Sequence, residues 1–504
     1  MIAVLDFGSQ YTHLINRRLR ELGVYAEIFP HNIQRCKLPQ TTKGLILSGG
    51  PMSVYEKNAP TLNTHFLTSD LPILGICYGH QLVAHKLGGQ VEQGTKKEYG
   101  HQMINVNGGI LLKGLRKRES VWFSHGDVVN KIPPGFTITA TSNKQIAAYE
   151  NGVIFGVQFH PEVAHTVHGN KILRNFIKVC GEESNWSIKD QVSRLVAEIR
   201  TKVGNQLVLI GVSGGIDSLI AALLLKKAIG KNLYCVFIET GFMRKDEPEE
   251  VATMYKNFGF ENFISSDCKQ EFLRALKGVT DPELKRKRIG HTFIRVFEKK
   301  AIGLQKQKHI KFLAQGTIYP DRIESAATCK LAVKIKSHHN LTLPKKINFQ
   351  IIEPLKDFYK DEVRNLGKRL EVPKNFLMRH PFPGPGLAIR ILGEVTEEKL
   401  QILKEADCLF IEELKRAKLY PKIWQAFAAL LPVKTVGVMG DTRTYTYMLT
   451  LRAVTSKDGM TADWAKIPPP ILEKISNRIV NEIKGVNRVV YDITQKPPAT
   501  IEYE

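Results

Sequence analysis

The chain has 504 residues, of which 43% are hydrophobic and 24% charged, and its net charge is +23. This composition can bury several cores and excludes an intrinsically disordered chain, and no apolar run approaches the ~18 residues of a membrane-spanning helix. Seven scattered cysteines without a Cys-x-x-Cys pair argue against a disulfide framework or a zinc site. The sequence therefore predicts a reducing, cytoplasmic location.

Residues 1–185 alternate strand and helix signals, and Tyr11–Leu22 has the apolar spacing of a helix. Short apolar runs predict strands at Ile2–Asp6, Gly44–Leu47, Ile73–Ile76, Val121–Phe123, Ile138–Ala140 and Val153–Val157. The first run meets an acidic residue without a basic leader, which indicates a strand and not a signal peptide. The pattern predicts an open parallel-sheet α/β domain, and the polar segment 181–185 predicts its end.

Residues 186–379 repeat the α/β pattern, with strands predicted at Gln206–Gly211, Leu233–Ile238 and Lys311–Ala314. The proline-rich segment 380–386 breaks any regular element and predicts a second boundary near Arg379. Residues 380–504 predict a small α+β domain. Its elements are helices at Thr396–Ala417 and Ile471–Ile483 and strands at Lys434–Val438, Thr444–Val454 and Val489–Ile493.

The first candidate site is the segment Gly75-Ile76-Cys77-Tyr78-Gly79, where a predicted strand meets a predicted helix. Glycines on both sides permit the sharp turn that projects a nucleophile, and a helix N-terminus favours a thiolate. A cysteine nucleophile needs a base and a group that orients the base. His160 and Glu162, in His-Pro-Glu after another predicted strand, fit these roles. Taken alone, a cysteine after Gly-Ile is more often a small buried residue of the core than a nucleophile.

Ser48-Gly49-Gly50-Pro51, the Cys77 segment and Gly156–Glu162 together resemble the triad-type, class I glutamine amidotransferases. The resemblance implies that Cys77 attacks glutamine with His160 and Glu162 as its triad partners, forms a glutamyl thioester and releases ammonia. It also implies an oxyanion hole formed by the backbone N–H groups near Gly50 and Tyr78. Such donors stabilise charge that develops only in the tetrahedral intermediate.

The second candidate site is a glycine-containing loop, Ser213-Gly214-Gly215-Ile216-Asp217-Ser218-Leu219, which follows a predicted strand and opens a helix. Glycines and a helix N-terminus let backbone N–H groups approach phosphate, although the same residues also suit an ordinary helix N-cap. The loop has no Walker lysine, and Asp217 is predicted to bind Mg²⁺. It resembles the ATP pyrophosphatases, which implies ATP binding by residues 213–219, adenylation of an acceptor oxygen, and AMP and pyrophosphate as products.

The C-terminal half resembles the GMP synthetase family, and the similarity covers nearly the whole chain in the family's domain order. The segments that carry it are Gly316–Asp321, Ile323–Ser325, Ser337–Asn340, His380–Arg390 and Lys496–Glu504. The resemblance implies three domains: an amidotransferase at 1–185, an ATP pyrophosphatase at 186–379, and a dimerisation and XMP-binding domain at 380–504. It also implies a homodimer whose substrates are glutamine, ATP and XMP.

Four residues are implied in XMP binding by that family: Arg286, Asp441, Lys496 and Glu502. A lysine and an arginine suit the phosphate, and a carboxylate can accept from a ribose hydroxyl or a purine N–H. Without the resemblance, the charge run 285–288 is better explained as a solvated helix face. The sequence departs from the family at His80, at His291 and over Leu341–Asn348.

Two other functions compete with this one. A glutamine-dependent NAD synthetase shares the phosphate loop but is expected to use a different glutaminase and to lack residues 380–504. A nucleotide-binding regulator without catalysis would need a broken triad or loop, and neither is broken in this sequence. The net charge raises nucleic acid as a partner, but the lysines are spread along the chain and no nucleic-acid motif accompanies them. We therefore expect neither a nucleic-acid nor a membrane partner.

Overall fold

The computed structural model describes residues 1–183, 186, 188–321, 349–439, 441–456, 459 and 461–504. These residues form two compact units, one that runs to Trp186 and one that starts at Ile188. Among the described helices, none combines the length and the hydropathy that a bilayer crossing requires. The cytoplasmic location stays a prediction.

The first unit is built on one mixed sheet of nine strands. They are β1 (Ile2–Asp6), β2 (Ala26–Pro30), β3 (Gly44–Leu47), β4 (Ile73–Ile76), β5 (Gln90–Val106), β6 (Arg118–Lys131), β7 (Thr137–Ser142), β8 (Gln145–Glu150) and β9 (Ile154–Val157). Their order in the sheet is β2-β1-β3-β4-β9-β8-β7-β5-β6. The strands from β2 to β9 in that order are parallel, and the remaining pairs are antiparallel.

Three helices pack with this sheet: α1 (Thr12–Glu21), α2 (Tyr78–Lys86) and α3 (Gly169–Val179). The predicted strands at 2–6, 44–47 and 73–76 are confirmed to the residue, because continuous apolar runs bounded by glycine or charge mark buried parallel strands well. Strand β5 was not predicted, since its sequence is rich in glycine and charge. The carboxyl ends of β4 and β9 are neighbours in the sheet, which places the segments after them side by side.

The second unit begins with helix α4 (Ile188–Val203) and contains a parallel sheet of five strands in the order β12-β11-β10-β13-β14. These are β10 (Val208–Val212), β11 (Leu233–Glu239), β12 (Asn262–Asp267), β13 (Phe312–Ala314) and β14 (Gln350–Ile352). Its helices are α5 (Ile216–Ile229), α6 (Glu247–Asn257), α7 (Lys269–Leu276), α8 (Pro282–Lys308), α9 (Lys360–Arg369) and α10 (Lys374–Leu377). The predicted second α/β sheet is therefore present.

The last part of the chain adds helices α11 (Glu397–Arg416) and α12 (Pro469–Glu482) to a second sheet. That sheet contains β15 (Gln425–Met439), β16 (Thr442–Thr455), β17 (Asp463–Trp464) and β18 (Val486–Tyr491). Strands β15 and β16 form a long antiparallel hairpin, and β18 runs parallel to β16. The sequence predicted only Lys434–Val438 of β15. The register shifts between Leu430 and Lys434, where a proline interrupts the apolar pattern.

One hydrophobic cluster spans both sheets of the second unit. It joins Leu209 of β10 and Phe297 of α8 to Phe410 of α11 and Leu449 of β16. The predicted boundary near Arg379 stays a prediction, because a shared core does not locate a domain boundary. The predicted segments Ile323–Ser325, Ser337–Asn340 and Leu341–Asn348 lie outside the described residues.

Candidate functional site

Cys77 occupies a strained turn between β4 and α2. Its backbone has φ 53° and ψ −104°, a conformation that residues with a side chain rarely adopt and that is typically found at functional sites. Glycines make the turn possible: a Cβ on Gly75 would lie 2.5 Å from the backbone of Gly79, and one on Gly79 would lie 2.5 Å from the carbonyl oxygen of Leu47. The thiol of Cys77 is held at the head of a helix, and its Sγ lies 3.7 Å from the carbonyl oxygen of Ser124.

The structure brings His160 and Glu162 to the same place. The Nδ1–H of His160 donates to Oε1 of Glu162 at 2.7 Å, and both side chains are buried. Burial alone would lower the pKa of His160. The Glu162 charge and hydrogen bonds with Cys77 and Glu162 outweigh burial and raise that pKa well above its ordinary value. An imidazole between a thiol and a carboxylate can take the thiol proton and hold it as an imidazolium.

Gly50 and Tyr78 also lie together beside the turn. A Cβ on Gly50 would be 2.9 Å from the carbonyl oxygen of Phe7 and 3.1 Å from Cγ of Tyr78, so this position has no room for a side chain. Tyr78 is the first residue of α2, where backbone N–H groups have no partner within the helix. Gly50 thus lies against the Tyr78 side chain, and Tyr78 itself sits at the positive end of a helix, while the oxyanion roles of the two N–H groups stay a prediction.

The departure at His80 is accommodated by the core. Its ring is fully buried and packs at a tilt against Tyr149, with the ring centroids 4.5 Å apart, and the Tyr149 hydroxyl donates to the His80 carbonyl oxygen. Burial lowers the pKa of His80 to about 3, so this histidine is neutral at physiological pH. The other departure that lies in a described segment, His291, is exposed on α8.

The phosphate-loop residues form an accessible turn between β10 and α5. Gly214 has φ 70°, and a Cβ there would lie 2.6 Å from Cγ2 of Val251. The Ser213 N–H donates to Oγ of Ser218 at 3.2 Å, and that hydroxyl donates to the Gly215 carbonyl oxygen at 3.0 Å. Ser213 and Gly215 are exposed. Such a turn can present N–H and hydroxyl donors to an anion.

Two members of the predicted loop differ from the rest. Leu219 is buried, and its N–H donates to the Gly215 carbonyl oxygen, so its side chain belongs to the core. Asp217 forms an ion pair with Lys360 of α9, with Oδ2 and Nζ 2.5 Å apart. Sequence reasoning missed Lys360 because it lies 143 residues further along the chain, with no motif around it that points to phosphate.

The predicted XMP residues occupy different contacts in the second unit. Arg286 of α8 donates to the backbone oxygen of Glu504, and Glu502 accepts two hydrogen bonds from Arg390 at 2.9 and 3.0 Å. The Nζ of Lys496 donates to the Gly459 carbonyl oxygen at 2.8 Å. Asp441 lies in the exposed turn between β15 and β16, with φ 63°.

Buried basic side chains that the sequence did not reveal hold the chain's last residues in place. Lys285 pairs with the carboxylate of Glu504, and Arg390 is stacked at 4.2 Å on Phe427 while it pairs with Glu502. Arg452 donates to the backbone oxygens of Thr494, Thr500 and Ile501. A buried cation is stable only when it is paired, so these contacts fix the tail firmly.

Comparison with known proteins places family models along most of the chain. The model described as glutamine amidotransferase class-I matches residues 3–180, the one described as NAD synthase matches 188–287, and the one described as GMP synthase C terminal domain matches 412–503.

Curated relatives match over the full length. A protein of Thermosipho melanesiensis named GMP synthase (glutamine-hydrolyzing) is 54% identical over 100% of this chain and 99% of its own length. One of Carboxydothermus hydrogenoformans with the same name is 53% identical, again over 100% and 99%. Among solved structures, a glutamine amidotransferase of Thermotoga maritima is 23% identical and covers 38% of this chain and 84% of its own. Its TM-score of 0.29 is too low to support an inference about the fold.

Proposed function

The chain belongs to the family of glutamine-hydrolysing GMP synthases and is a ligase that makes GMP with glutamine as the nitrogen donor; from this premise we propose how its residues divide the reaction. The proposal rests on one observation: the buried side chains of Cys77, His160 and Glu162 lie together at the strained turn after β4. A second, separate unit holds the turn that suits phosphate.

At the first site, Cys77 attacks the side-chain amide of glutamine while His160 takes the thiol proton. The tetrahedral oxyanion is stabilised by the N–H groups near Gly50 and Tyr78. His160 then gives its proton to the leaving nitrogen, ammonia departs, and a glutamyl thioester stays on Cys77. Water hydrolyses the thioester to glutamate and regenerates the thiol. Glu162 keeps the imidazole in its productive orientation and stabilises the imidazolium.

At the second site, residues 213–218 bind the phosphates of ATP through backbone N–H groups and hydroxyls. The C2 oxygen of XMP attacks the α-phosphorus, and pyrophosphate leaves. Ammonia then forms a bond to C2, and the C2–O bond breaks as AMP departs with that oxygen. Adenylation is needed because a purine carbonyl oxygen is a poor leaving group, whereas AMP leaves readily.

The loop also fits Mg²⁺. Oδ1 of Asp217 is buried and has no hydrogen-bond partner among the described residues, and hard carboxylate oxygens are the ligands that Mg²⁺ prefers. The part of the chain that the structure describes contains no group of three or more His, Cys, Asp or Glu that could hold a metal. Asp217 would therefore hold the ion together with phosphate oxygens. When bound, Mg²⁺ offsets phosphate charge, and Lys360 adds a second positive charge beside the loop.

XMP is bound by residues of the C-terminal part together with Arg286 of α8. Arg286 and Lys496 supply positive charge for its phosphate, and Glu502 and Asp441 accept from its hydroxyl or N–H donors. The support is that Glu502 is held rigidly by Arg390 and Gln425, so its carboxylate is ordered before a ligand arrives.

A Lys496→Met variant is expected to raise the KM for XMP by about 10- to 100-fold, the cost of losing one charged hydrogen bond. Glutaminase activity without XMP should not change, since Cys77 lies in the other unit. Steady-state GMP formation at varied XMP measures the effect, with Lys466→Met, at an exposed lysine, as the matched control. An unchanged KM would show that Lys496 has only a structural role.

Point variants are a better test of the tail than its removal. Deleting residues 496–504 would remove Glu504 from the buried Lys285 and Glu502 from the buried Arg390, the carboxylates with which they pair in the structure. An unpaired buried charge costs several kcal/mol, on the order of 3–5. Loss of activity in such a truncation would therefore not separate a binding role from unfolding.

The protein is a homodimer through its C-terminal sheet. On one face of the β15–β16 hairpin, Val436, Val438 and Tyr445 are exposed side by side, with Val436 paired to Tyr445 across the strands. A contiguous exposed apolar face typically marks a protein interface, and a second copy of this chain is the occupant that the family resemblance implies.

Val436→Lys/Val438→Lys should shift the mass measured by light scattering from dimer to monomer. A wild-type chain that is monomeric at micromolar concentration would contradict the dimer.

The acceptor is tested by pyrophosphate release with XMP and with deamido-NAD, each with glutamine or ammonium. The match of residues 188–287 to the NAD synthase model makes deamido-NAD the relevant alternative. We expect pyrophosphate release with XMP and none with deamido-NAD. Release with deamido-NAD and not with XMP would overturn the assignment.

A further inference from the structure

A closed ring of hydrogen bonds ties the backbone of His160 to strand β6. The His160 N–H donates to the carbonyl oxygen of Trp122 at 3.0 Å. The Trp122 N–H donates to Oγ1 of Thr166 at 3.1 Å, and the Thr166 hydroxyl donates to the carbonyl oxygen of His160 at 2.6 Å. Thr166 is only 5% exposed. Both backbone groups of His160 are therefore used, and Thr166 closes the ring with a single hydroxyl.

The same strand also contacts the nucleophile. Ser124, two residues after Trp122 on β6, presents the carbonyl oxygen that lies 3.7 Å from Sγ of Cys77. Residues two apart on a strand have a fixed separation and orientation. Strand β6 thus contacts both the cysteine and the histidine. The ring of hydrogen bonds through Thr166 connects the histidine to this strand.

The loop around Thr166 is itself tightly folded. The Thr166 N–H donates to the Val163 carbonyl oxygen at 3.1 Å, and the Gly169 N–H donates to the Thr166 carbonyl oxygen at 3.1 Å. A Cβ on Gly169 would lie 1.9 Å from the carbonyl oxygen of Pro161, so the loop closes on itself without a gap. Thr166 is therefore held in one place, and its hydroxyl has a defined direction.

We propose that Thr166 is a positioning residue of the glutaminase site, whose hydroxyl fixes the His160 backbone and with it the imidazole between Cys77 and Glu162. The inference rests on the proposed role of His160 as the base. Position matters because a displacement of about 1 Å in a catalytic group can cost ~100-fold in rate. A side chain of the same shape without a hydroxyl would leave the His160 carbonyl and the Trp122 N–H without the Thr166 hydroxyl as partner, so that of the three bonds in the ring only the one from the His160 N–H to Trp122 would still tie the histidine to β6.

Thr166→Val should lower the glutaminase kcat by about 10- to 100-fold while the KM for glutamine changes by less than ~3-fold, because an interaction with the base and not with the substrate is lost. GMP synthesis from ammonia should be unchanged. Thr166→Ser keeps the hydroxyl and should restore kcat to within ~3-fold of wild type. Thr166→Ala, which removes the hydroxyl without adding bulk, replaces the valine variant if that one does not fold by circular dichroism.

The rate of Cys77 alkylation by iodoacetamide at pH 7 provides a readout independent of glutamine. It should fall in Thr166→Val and recover in Thr166→Ser, since a displaced imidazole no longer withdraws the thiol proton. Thr139→Val, at a buried threonine of β7, is the matched control and should leave both rates unchanged.

Folded Thr166→Val with wild-type kcat and alkylation would overturn the inference, and so would equal losses in the valine and serine variants. If the wild-type enzyme itself has no glutaminase activity or is not alkylated at Cys77, the proposed function fails instead.

Discussion

A Cys77→Ala variant is expected to make no GMP from glutamine and to make it from ammonia at close to the wild-type rate. The thiolate is required only to break a carboxamide, whereas amination of an adenylated purine needs only NH₃. Alanine removes the nucleophile without adding bulk, and losing one small buried side chain costs no more than about 1–3 kcal/mol of stability. The positive φ of Cys77 is kept by alanine at the same cost.

The assay with ammonia as the nitrogen source needs a high ammonium concentration and a pH of about 8.5–9. The reason is that NH₄⁺ has no lone pair with which to attack, and base converts it to NH₃. Cys36→Ala, at an exposed cysteine, is the control for loss of a thiol elsewhere. GMP formation from glutamine at the wild-type rate would remove Cys77 from the mechanism. Failure with ammonia in a folded variant would show that the two reactions are not separable.

An Asp217→Asn variant should lose pyrophosphate formation by at least ~100-fold with either nitrogen source, the scale of removing one preorganised electrostatic contact. Asparagine keeps the shape of the side chain but removes the charge that would hold a metal ion and that pairs with Lys360. Glutaminase activity without nucleotides should persist, since it belongs to the other unit. The measurement is pyrophosphate release from XMP, ATP and Mg²⁺.

A second substitution separates the two roles of Asp217. If the carboxylate serves only to pair with Lys360, the double variant Asp217→Asn/Lys360→Met should be as active as Lys360→Met alone, because no partner is left for the carboxylate to pair with. If Asp217 holds the ion, the double variant should release pyrophosphate far more slowly than Lys360→Met alone. Normal pyrophosphate release in Asp217→Asn would contradict the metal-ligand proposal outright.

The parts of the site that could be predicted from the sequence are those that local pattern determines. Cys77 follows a continuous apolar run between two glycines, and His160 follows another, so both are recognisable as residues at strand ends. Cys77 and His160 lie close together because β4 and β9 are neighbours in the sheet. The sequence alone does not show this pairing, but the resemblance to the class I amidotransferases implies that the two residues meet. The phosphate loop is recognisable for the same reason, as glycines at the junction of β10 and α5.

The residues that could not be predicted act through contacts between distant segments. Lys360 reaches Asp217, Arg390 reaches Glu502, and Thr166 reaches Trp122 only after the chain has folded. None of them stands in a spacing that indicates its role. The polar strand β5 was not predicted for a related reason. Its place in the sheet is determined by pairing with β6 and β7 and not by an apolar pattern of its own.

Isotope transfer tests the central claim most directly. XMP labelled with ¹⁸O at C2 is incubated with ATP, Mg²⁺ and glutamine labelled with ¹⁵N in its amide, and the products are separated for mass spectrometry. The mechanism predicts that ¹⁵N appears in GMP and ¹⁸O in AMP, because ammonia from glutamine displaces an adenylated oxygen. Unlabelled GMP, or ¹⁸O in orthophosphate or pyrophosphate instead of AMP, would contradict it.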